Sequence, residues 1–241
     1  MPLQLPLDLP HRPSLTREDL VVSASNRLPV EAVDRWPDWS HPVLVVCGPP
    51  GSGKTHLANV WAERTGAVVA RPGMIDAILP HPPFAVVLDD LDRGGFAEKE
   101  LFALLNAARL GGGSVLATSR VLPTALDFSL KDLRSRLSAA TLVQLGAPDD
   151  DLLTSVLVKL FSDRQLDVEP GAVRYLAERM ERSLDRARQL VAAVDREALA
   201  TKGRVTRPLM KRVLLAQAEP AEPRHEAVAP DRYATGTMED D

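Results

Sequence analysis

The sequence has few of the residues from which disulfide frameworks, thiolate metal sites and base-stacking surfaces are built. Among its 241 residues there is one cysteine, Cys47, and aromatic residues account for 4%. A single cysteine excludes an intramolecular disulfide and a zinc site with several thiolate ligands, and it is typical of a reducing compartment. No apolar run approaches the roughly 20 residues that span a bilayer, and residues 1–13 contain Asp8 and four prolines rather than the apolar centre of a signal peptide. We therefore expect a globular cytoplasmic protein.

The sequence also has no excess of basic residues, since its formal net charge is −4. This charge is unevenly distributed, because residues 219–241 hold seven acidic and two basic side chains and the remainder of the chain carries +1. Alanine, proline and charged residues dominate that segment, and its few apolar side chains follow no period. Such a composition cannot offset the entropy lost on ordering, so we predict that residues 217–241 form a disordered acidic tail.

Between the two ends of the chain, short apolar runs alternate with stretches of helical periodicity. This pattern predicts βα units around a mostly parallel sheet over residues 17–148. The predicted strands are Val43–Cys47, Val68–Ala70, Phe84–Leu88, Ser114–Ala117 and Leu142–Leu145. The predicted helices of this part are Asn26–Arg35, Lys54–Thr65, Met74–Leu79, Ala97–Arg109 and Leu130–Leu137.

The strand pattern ends at Pro148, and leucine, valine and alanine then recur at helical spacing. Residues 149–216 therefore predict a small helical domain. Its predicted helices are Asp149–Phe161, Pro170–Arg182, Leu184–Thr201 and Arg207–Ala216. The residues placed to cap their amino termini are Asp149, Glu169, and Ser183 or Thr206.

A phosphate-binding loop follows the first predicted strand and precedes a helix. Residues 48–55 read GPPGSGKT, which satisfies the pattern G-x-x-x-x-G-K-[ST] in the context that its chemistry requires. Glycines let successive backbone N–H groups face phosphate oxygens, and the start of the helix adds its positive dipole end. We expect Lys54 to contact the β- and γ-phosphates and the Thr55 hydroxyl to hold Mg²⁺. The predicted nucleotide-contacting residues here are Gly48, Gly51, Ser52, Gly53, Lys54, Thr55 and His56.

Two adjacent carboxylates end the predicted strand Phe84–Leu88. Asp89 is placed to complete the magnesium site, and Asp90 is a candidate base for polarising the attacking water. The alternative for Asp90 is that it starts a loop or caps a helix, as aspartate pairs at strand ends commonly do. Asp90 is also one methylene shorter than the glutamate that many such ATPases use as the base. For His56, packing on its helix is the alternative to nucleotide contact, and Cys47 is expected to pack in the sheet.

Five features occur in order along the chain. They are the phosphate loop, LDD at 88–90, a strand ending in TSR at 118–120, the basic segment LRSRL at 133–137, and a terminal helical domain with Arg186 and Arg188. In this order they resemble the AAA+ ATPases, and more narrowly the branch of the DnaA-type initiators. The resemblance covers about residues 15–216. It implies an α/β P-loop core with a parallel sheet flanked by helices, an all-helical lid, and ADP or ATP with Mg²⁺ as the bound species.

The resemblance also implies roles for residues outside the phosphate loop. The segment EDLVVSASNR at 18–27 is similar to the one with which DnaA-type initiators enclose adenine, which makes Leu20, Val21 and Asn26 residues of the base pocket. Thr118 or Ser119 takes the place of the polar sensor that positions the attacking water near the γ-phosphate.

Three arginines acquire roles by the same resemblance. Arg136 falls at the position of the arginine finger, which stabilises the charge that builds up on a neighbouring subunit's nucleotide during phosphoryl transfer. Arg134 is the second choice for that role, and a solvated helix end paired with Asp132 is the alternative for both. The second sensor is Arg186 or Arg188, with Arg186 slightly preferred.

The departure from the initiators lies beyond the lid. Initiators continue into a helix-turn-helix DNA-binding domain, whereas an acidic segment follows Ala216 here, so we expect a DnaA-related regulator rather than a full initiator. Residues 1–16 are predicted to form an extended arm, in which QLPLDL at 4–9 resembles the short motifs that dock on bacterial sliding clamps. An extended strand places a Gln4 anchor ahead of leucines that enter an apolar groove. The predicted clamp-contacting residues are Gln4, Leu5, Leu7 and Leu9.

Together these resemblances imply a regulator that docks on the DNA-loaded sliding clamp and presents Arg136 to initiator-bound ATP. Hydrolysis inactivates the initiator, so the effect is negative regulation of replication initiation, with DNA reached through the clamp and weak intrinsic hydrolysis by the regulator. Two alternatives stay open: a self-sufficient AAA+ ATPase such as a helicase loader, and a DNA-binding initiator accessory protein. The DNA-binding alternative gains little support from residues 151–218, because 13 basic and 9 acidic side chains are usual for a helical surface. Whether the chain forms homo-oligomers also stays open.

Overall fold

A five-stranded parallel sheet forms the centre of the molecule. The computed structural model describes residues 16–201 and 204–218. The strands lie in the order β2-β3-β4-β1-β5, and each pairs in parallel with its neighbours. Their bounds are β1 (Val43–Cys47), β2 (Val68–Val69), β3 (Phe84–Leu88), β4 (Gly113–Ser119) and β5 (Thr141–Gln144). The connecting helices are α1 (Arg27–Asp34), α2 (Lys54–Thr65), α3 (Ile75–Ile78), α4 (Glu98–Ala107) and α5 (Lys131–Ala139).

Helices cover both faces of the sheet, because alternate strand residues point to opposite sides. Val45 and Val86 belong to one core, which includes residues of α3, α4 and α5. Leu44 and Val46 belong to the other, which includes residues of α1 and α2. In that second core Trp61 stacks against a neighbouring tryptophan at 5.3 Å between ring centroids. The aromatic residues here therefore serve packing.

Four helices follow the sheet and pack around a core of their own. They are α6 (Asp150–Asp163), α7 (Pro170–Ala177), α8 (Leu184–Thr201) and α9 (Arg207–Ala218). Asp149 caps α6, since its carboxylate accepts the Leu152 N–H at 2.7 Å, whereas Glu169 makes no such bond to α7. The predicted α/β core followed by an all-helical lid is confirmed. Within the described ranges, no helix is both long and apolar enough to cross a bilayer.

The observed elements differ from the predicted ones mainly at their ends. β4 continues to Ser119 because its last two residues pair with Val46 and Cys47 of β1. α4 ends at Ala107 and passes into a wider turn, Ala108–Gly112, in which Gly111 has a φ of +87°. α7 ends at Ala177, five residues before its predicted end, and α9 extends to Ala218. Residues 178–183 thus join α7 to α8, and Ser183 at the end of this segment lies against Gly51 of the phosphate loop.

Candidate functional site

The phosphate loop joins the carboxyl end of β1 to the first turn of α2. Gly51 and Gly53 have φ angles of +70° and +100°, which glycine adopts without the strain a Cβ would cause. A Cβ at Gly51 would also lie 2.0 Å from the Ser183 Oγ atom. Both positions therefore require glycine, and the loop is closely covered by the lid.

Lys54, the first residue of α2, is almost completely buried beneath this loop. Its ammonium group donates to the carbonyl oxygens of Gly48 at 2.8 Å and Pro49 at 2.9 Å. Burial lowers the pKa of Lys54, although the nearby Asp90 carboxylate opposes this effect. The loop thus holds a preorganised cation beside the place where phosphate oxygens are expected.

Asp89 joins the phosphate loop to the neighbouring strand. Its carboxylate accepts the Thr118 hydroxyl at 2.6 Å and the Thr55 hydroxyl at 3.2 Å. Ser119, the other predicted sensor, instead donates its hydroxyl to the Val121 carbonyl at 2.7 Å. A hydroxyl beside a carboxylate is the oxygen ligand set that Mg²⁺ prefers, so Thr55 and Asp89 fit that ion. The structure places Thr118, rather than Ser119, at this site.

Asp90 lies next to the same site but has a different partner. Its carboxylate is 3.8 Å from the Arg120 guanidinium, and its backbone N–H donates to the Thr118 hydroxyl at 2.9 Å. Lys54, Asp90 and Arg120 all line one cavity of about 130 Å³, which we call the phosphate cavity. Asp90 therefore lines this cavity, and its carboxylate faces a cation there.

A second cavity, of about 60 Å³, adjoins the first between residues 19–26, α2 and the lid. We call it the base cavity. Leu20, Val21 and Asn26 line it, as the resemblance implies. The Asn26 amide donates to the Val21 carbonyl and accepts the Ser23 N–H, each at 2.8 Å. These two bonds fold the segment into a wall of the cavity.

Two buried polar atoms of the base cavity lack a hydrogen-bond partner among the described residues. They are Ser52 Oγ and His56 Nε2. Burial, together with the positive charge of Arg188, lowers the pKa of His56 to about 4, so its imidazole is neutral at pH 7. A buried polar group normally has a partner, and a purine base offers donors and acceptors of the required kind. The residues present therefore fit an adenine nucleotide.

The lid touches the phosphate loop directly at the start of α8. The Leu184 N–H donates to the Gly51 carbonyl at 2.8 Å. Arg188, one turn further along α8, lines both the base cavity and the phosphate cavity. Arg186 points elsewhere, since its guanidinium donates to the Gln217 carbonyl of α9 at 3.3 Å. The structure thus brings Arg188 to the site and not Arg186, which goes against the sequence-based preference.

Asp149 connects the lid to the wall of the base cavity. Besides capping α6, its carboxylate accepts the Ser23 hydroxyl at 3.0 Å and the Ser25 N–H at 3.1 Å. Burial opposes ionisation of this carboxyl group, but the hydrogen bonds outweigh it and lower the pKa of Asp149. A second link joins Lys159 of α6 to Asp19 at 2.6 Å. Residues 19–25 are therefore attached to the lid as well as to the core.

Arg136 lies in the last turn of α5, near the amino ends of the strands, whereas the phosphate loop lies at their carboxyl ends. We call these two sides of the sheet the amino edge and the carboxyl edge. Its guanidinium carbon is 4.8 Å from the centre of the Phe102 ring of α4. Its buried Nε atom has no hydrogen-bond partner among the described residues, whereas Arg134 is exposed. Glu98, one turn before Phe102, accepts the N–H groups of Ser129 and Leu130 at 2.8 and 2.7 Å, just ahead of α5. α4 thus positions the helix that carries Arg136.

Known proteins resemble this chain both in its α/β core and in its helical lid. Residues 150–214 match the family described as Hda, lid domain. Domain III of the Thermotoga maritima replication initiation protein DnaA superposes with a TM-score of 0.72, covering 88% of this chain and 100% of that one at 19% identity. The chain thus has the fold of that DnaA domain, and its helical domain is similar to the Hda lid family. Residues 48–55 carry the residue pattern of a nucleotide-binding phosphate loop.

Other relatives define how far this DnaA-related likeness extends. An uncharacterized protein of Haemophilus influenzae is 28% identical over 192 residues, or 73% of this chain and 83% of the relative. The chromosomal replication initiator protein DnaA of Xanthobacter autotrophicus is 31% identical over 172 residues. That match spans 59% of this chain but only about a third, 34%, of the initiator. The Thermotoga maritima RuvB branch migration motor shares the fold, with a TM-score of 0.60 at 21% identity over 79% of this chain and 66% of that one.

Several residues that shape the site were missed by sequence reasoning. Arg120 directly follows the predicted sensor, yet only the pairing of β4 beside β1 shows that it faces the phosphate loop. The link from Asp149 to Ser23 spans 126 positions, and no local pattern indicates it. Phe102 could have been noticed as an aromatic residue on the helix before the basic segment. The predicted clamp-binding residues, Gln4 to Leu9, lie outside the described residues, as does most of the predicted tail.

Proposed function

We propose that this protein is a cytoplasmic regulator of replication initiation that docks on the DNA-loaded sliding clamp and stimulates hydrolysis of initiator-bound ATP. The observation that carries the proposal is the Hda-type lid seated on a DnaA-like core through the contact between Leu184 and Gly51. The lid family supports a DnaA-related regulator, and the DnaA-type initiator is the partner that this relationship favours.

In the proposed mechanism the carboxyl edge of the sheet binds ADP or ATP. The base occupies the base cavity, where Ser52 and His56 gain partners, and Lys54 holds the phosphates. Thr55 and Asp89 hold Mg²⁺, which neutralises phosphate charge when it is bound. Arg188 of α8 reaches both cavities, so a bound nucleotide draws the lid and the core together. The nucleotide thereby acts chiefly as a conformational ligand, with slow intrinsic turnover.

The amino edge of the sheet supplies the arginine finger in this mechanism. Arg136 lines an open cavity, and it is held by a ring contact rather than by an ion pair with a carboxylate of the described residues. A guanidinium with free donors is suited to the equatorial oxygens of a phosphoryl group in transfer. We assign the finger to Arg136 in preference to Arg134 for this reason.

The amino-terminal arm supplies the clamp contact in this proposal. Gln4 anchors the extended segment, and Leu5, Leu7 and Leu9 enter the apolar groove of the clamp. The Gln4→Ala variant should therefore lose clamp binding in a direct titration. Asp8→Asn, which changes a polar residue between the leucines, is the matched control and should retain most of the affinity. Equal clamp affinity of Gln4→Ala and the parent protein would remove the arm from the mechanism.

An omission experiment tests the whole proposal. Hydrolysis of ATP bound to the initiator is measured with and without the clamp, the DNA on which it is loaded, and this protein. Acceleration only when all components are present supports the regulator. Acceleration of this protein's own turnover by a helicase or by DNA would instead favour the self-sufficient ATPase. A steep dependence of DNA affinity on salt would favour the DNA-binding accessory protein.

A further inference from the structure

Arg120 is a cation of the nucleotide site to which neither the sequence pattern nor the proposed mechanism gives a role. It follows the last residue of β4, next to the strand that leads into the phosphate loop. Its backbone N–H donates to the Asp92 carboxylate at 3.0 Å, which fixes the point where the chain leaves the sheet. Its side chain lines the phosphate cavity together with Lys54 and Thr55.

The two cavities define an order of positions along the site. Gly53, His56 and Arg188 line both the base cavity and the phosphate cavity. Asp90 and Arg120 line the phosphate cavity but not the base cavity. A nucleotide with its base in the first cavity therefore directs its phosphates past the shared residues. Its last phosphate is the one that approaches Arg120.

The two arginines of the phosphate cavity are held differently. Arg188 donates a hydrogen bond to Asp185 at 2.8 Å. Arg120 is 3.8 Å from Asp90, and no hydrogen bond joins these two side chains in the described structure. Both side chains of that pair are about a third or more exposed, at 32% and 43%. Ion pairs of this length and exposure are weak, so a more highly charged acceptor can replace the carboxylate.

We propose that Arg120 binds the γ-phosphate of ATP in its own chain, and that Asp90 holds this guanidinium when the site contains ADP. The inference rests on the proposed nucleotide site and adds a residue that distinguishes the two nucleotides. It also gives Asp90 a second role, which is to hold Arg120 when no γ-phosphate is bound. Arg120 directly follows β4, so its exchange between Asp90 and the γ-phosphate links the identity of the bound nucleotide to the conformation of the chain at the end of β4.

The test compares equilibrium affinities for ADP and for the non-hydrolysable analogue adenosine 5′-(β,γ-imido)triphosphate, both with Mg²⁺. Arg120→Ala should weaken binding of the triphosphate by about tenfold or more, as expected for loss of a hydrogen bond to a charged group, and change ADP affinity by less than about twofold. Arg120→Lys should restore part of the triphosphate affinity. Arg93→Ala is the matched control, since this exposed arginine lies in the loop after β3 and does not line the cavity.

A double-mutant cycle with Asp90 tests the exchange itself. Asp90→Asn should strengthen triphosphate binding more in the parent protein than in the Arg120→Ala background, because only the parent has a guanidinium to release. An equal gain in both backgrounds would overturn the exchange, and equal losses of ADP and triphosphate affinity in Arg120→Ala would overturn the γ-phosphate assignment. If the parent protein bound neither nucleotide, the nucleotide site itself would be wrong. Circular dichroism melting of each variant shows that folding is unchanged.

Discussion

The two edges of the central sheet carry arginines in contrasting surroundings. At the carboxyl edge, Arg188 and Arg120 each face a carboxylate, and both line a cavity formed by the chain itself. At the amino edge, Arg136 stacks on Phe102 and faces an open cavity of about 320 Å³ that is also lined by Arg109. One edge thus has acidic and hydroxyl groups arranged around a ligand site. The other presents positive charge, and none of the described residues that line its cavity carries a carboxylate.

This difference indicates two separable tasks within one chain. The carboxyl edge has the parts of a nucleotide site, including a buried lysine and a hydroxyl beside Asp89. In the proposed function, the amino edge supplies a cation to a nucleotide that another protein holds. A substitution at one edge should therefore impair the function of that edge alone, so that the function of the other edge can still be measured.

The largest effect is expected from Arg136→Ala. Loss of an arginine finger lowers phosphoryl-transfer rates by about 10³-fold or more, so stimulation of initiator hydrolysis should be abolished. The variant should bind nucleotide with the parent's affinity, because the side chain lies at the opposite edge of the sheet. Single-turnover hydrolysis and a nucleotide titration measure the two quantities. Arg134→Ala is the control, and loss of stimulation in that variant alone would move the finger to Arg134.

Lys54→Ala should give the reverse pattern at the carboxyl edge. Removing the buried ammonium eliminates several charge-assisted contacts to phosphate, so affinity for ADP and ATP should fall by about 100-fold. Titration with a fluorescent nucleotide measures this change. Stacking of Arg136 on Phe102 should be unaffected. A variant that bound nucleotide as tightly as the parent would show that the phosphate loop is not the nucleotide site.

Asp149→Ala is expected to weaken the attachment of the lid without changing the amino edge. Loss of the N-cap should lower the free energy of unfolding by about 1 kcal/mol at pH 7. Because hydrogen bonds lower the pKa of Asp149, its stabilisation is fully present above the pKa of the unfolded chain, about 4, and disappears as the pH falls through the lower folded value.

Denaturant titrations of this variant at pH 7 and at pH values below 4 give the comparison. The difference in unfolding free energy between the parent and Asp149→Ala should become smaller as the pH is lowered below 4. Asp151→Ala, which removes an exposed carboxylate from the same turn, is the control and should cost less. A difference that stayed constant with pH would show that Asp149 acts through packing rather than through its charge.

The smallest effect is expected from Phe102→Leu. A cation–π contact at a partly exposed site is worth about 0.5–1 kcal/mol, so the maximal rate of initiator hydrolysis should fall about two- to fivefold. Phe102→Tyr keeps a ring beneath Arg136 and should restore the rate. The concentration of this protein that gives half-maximal stimulation should not change in either variant. Equal rates for Leu and Tyr at this position would mean that the ring does not position Arg136.

The order of strands and helices was predictable because βα units can be recognised from the local periodicity of apolar residues. The sheet order β2-β3-β4-β1-β5 places the ends of β3 and β4 beside the phosphate loop, so the predicted Asp89 and Thr118 meet there. The choice between Arg188 and Arg186 was not predictable, because they lie on the two sides of the buried Ala187. Periodicity identifies the buried face of α8 but not which side of it faces the phosphate loop. The links from Asp149 and Glu98 join distant segments, which periodicity cannot pair.

A double-label experiment tests the central claim most directly. The initiator is loaded with ATP carrying one isotope and this protein with ATP carrying another, and the two are mixed on the DNA-loaded clamp. The separation of tasks predicts that the initiator's label appears as ADP rapidly while this protein's label is converted slowly, and that Arg136→Ala slows only the former. Rapid conversion of this protein's own label, with the initiator's ATP unchanged, would contradict the account.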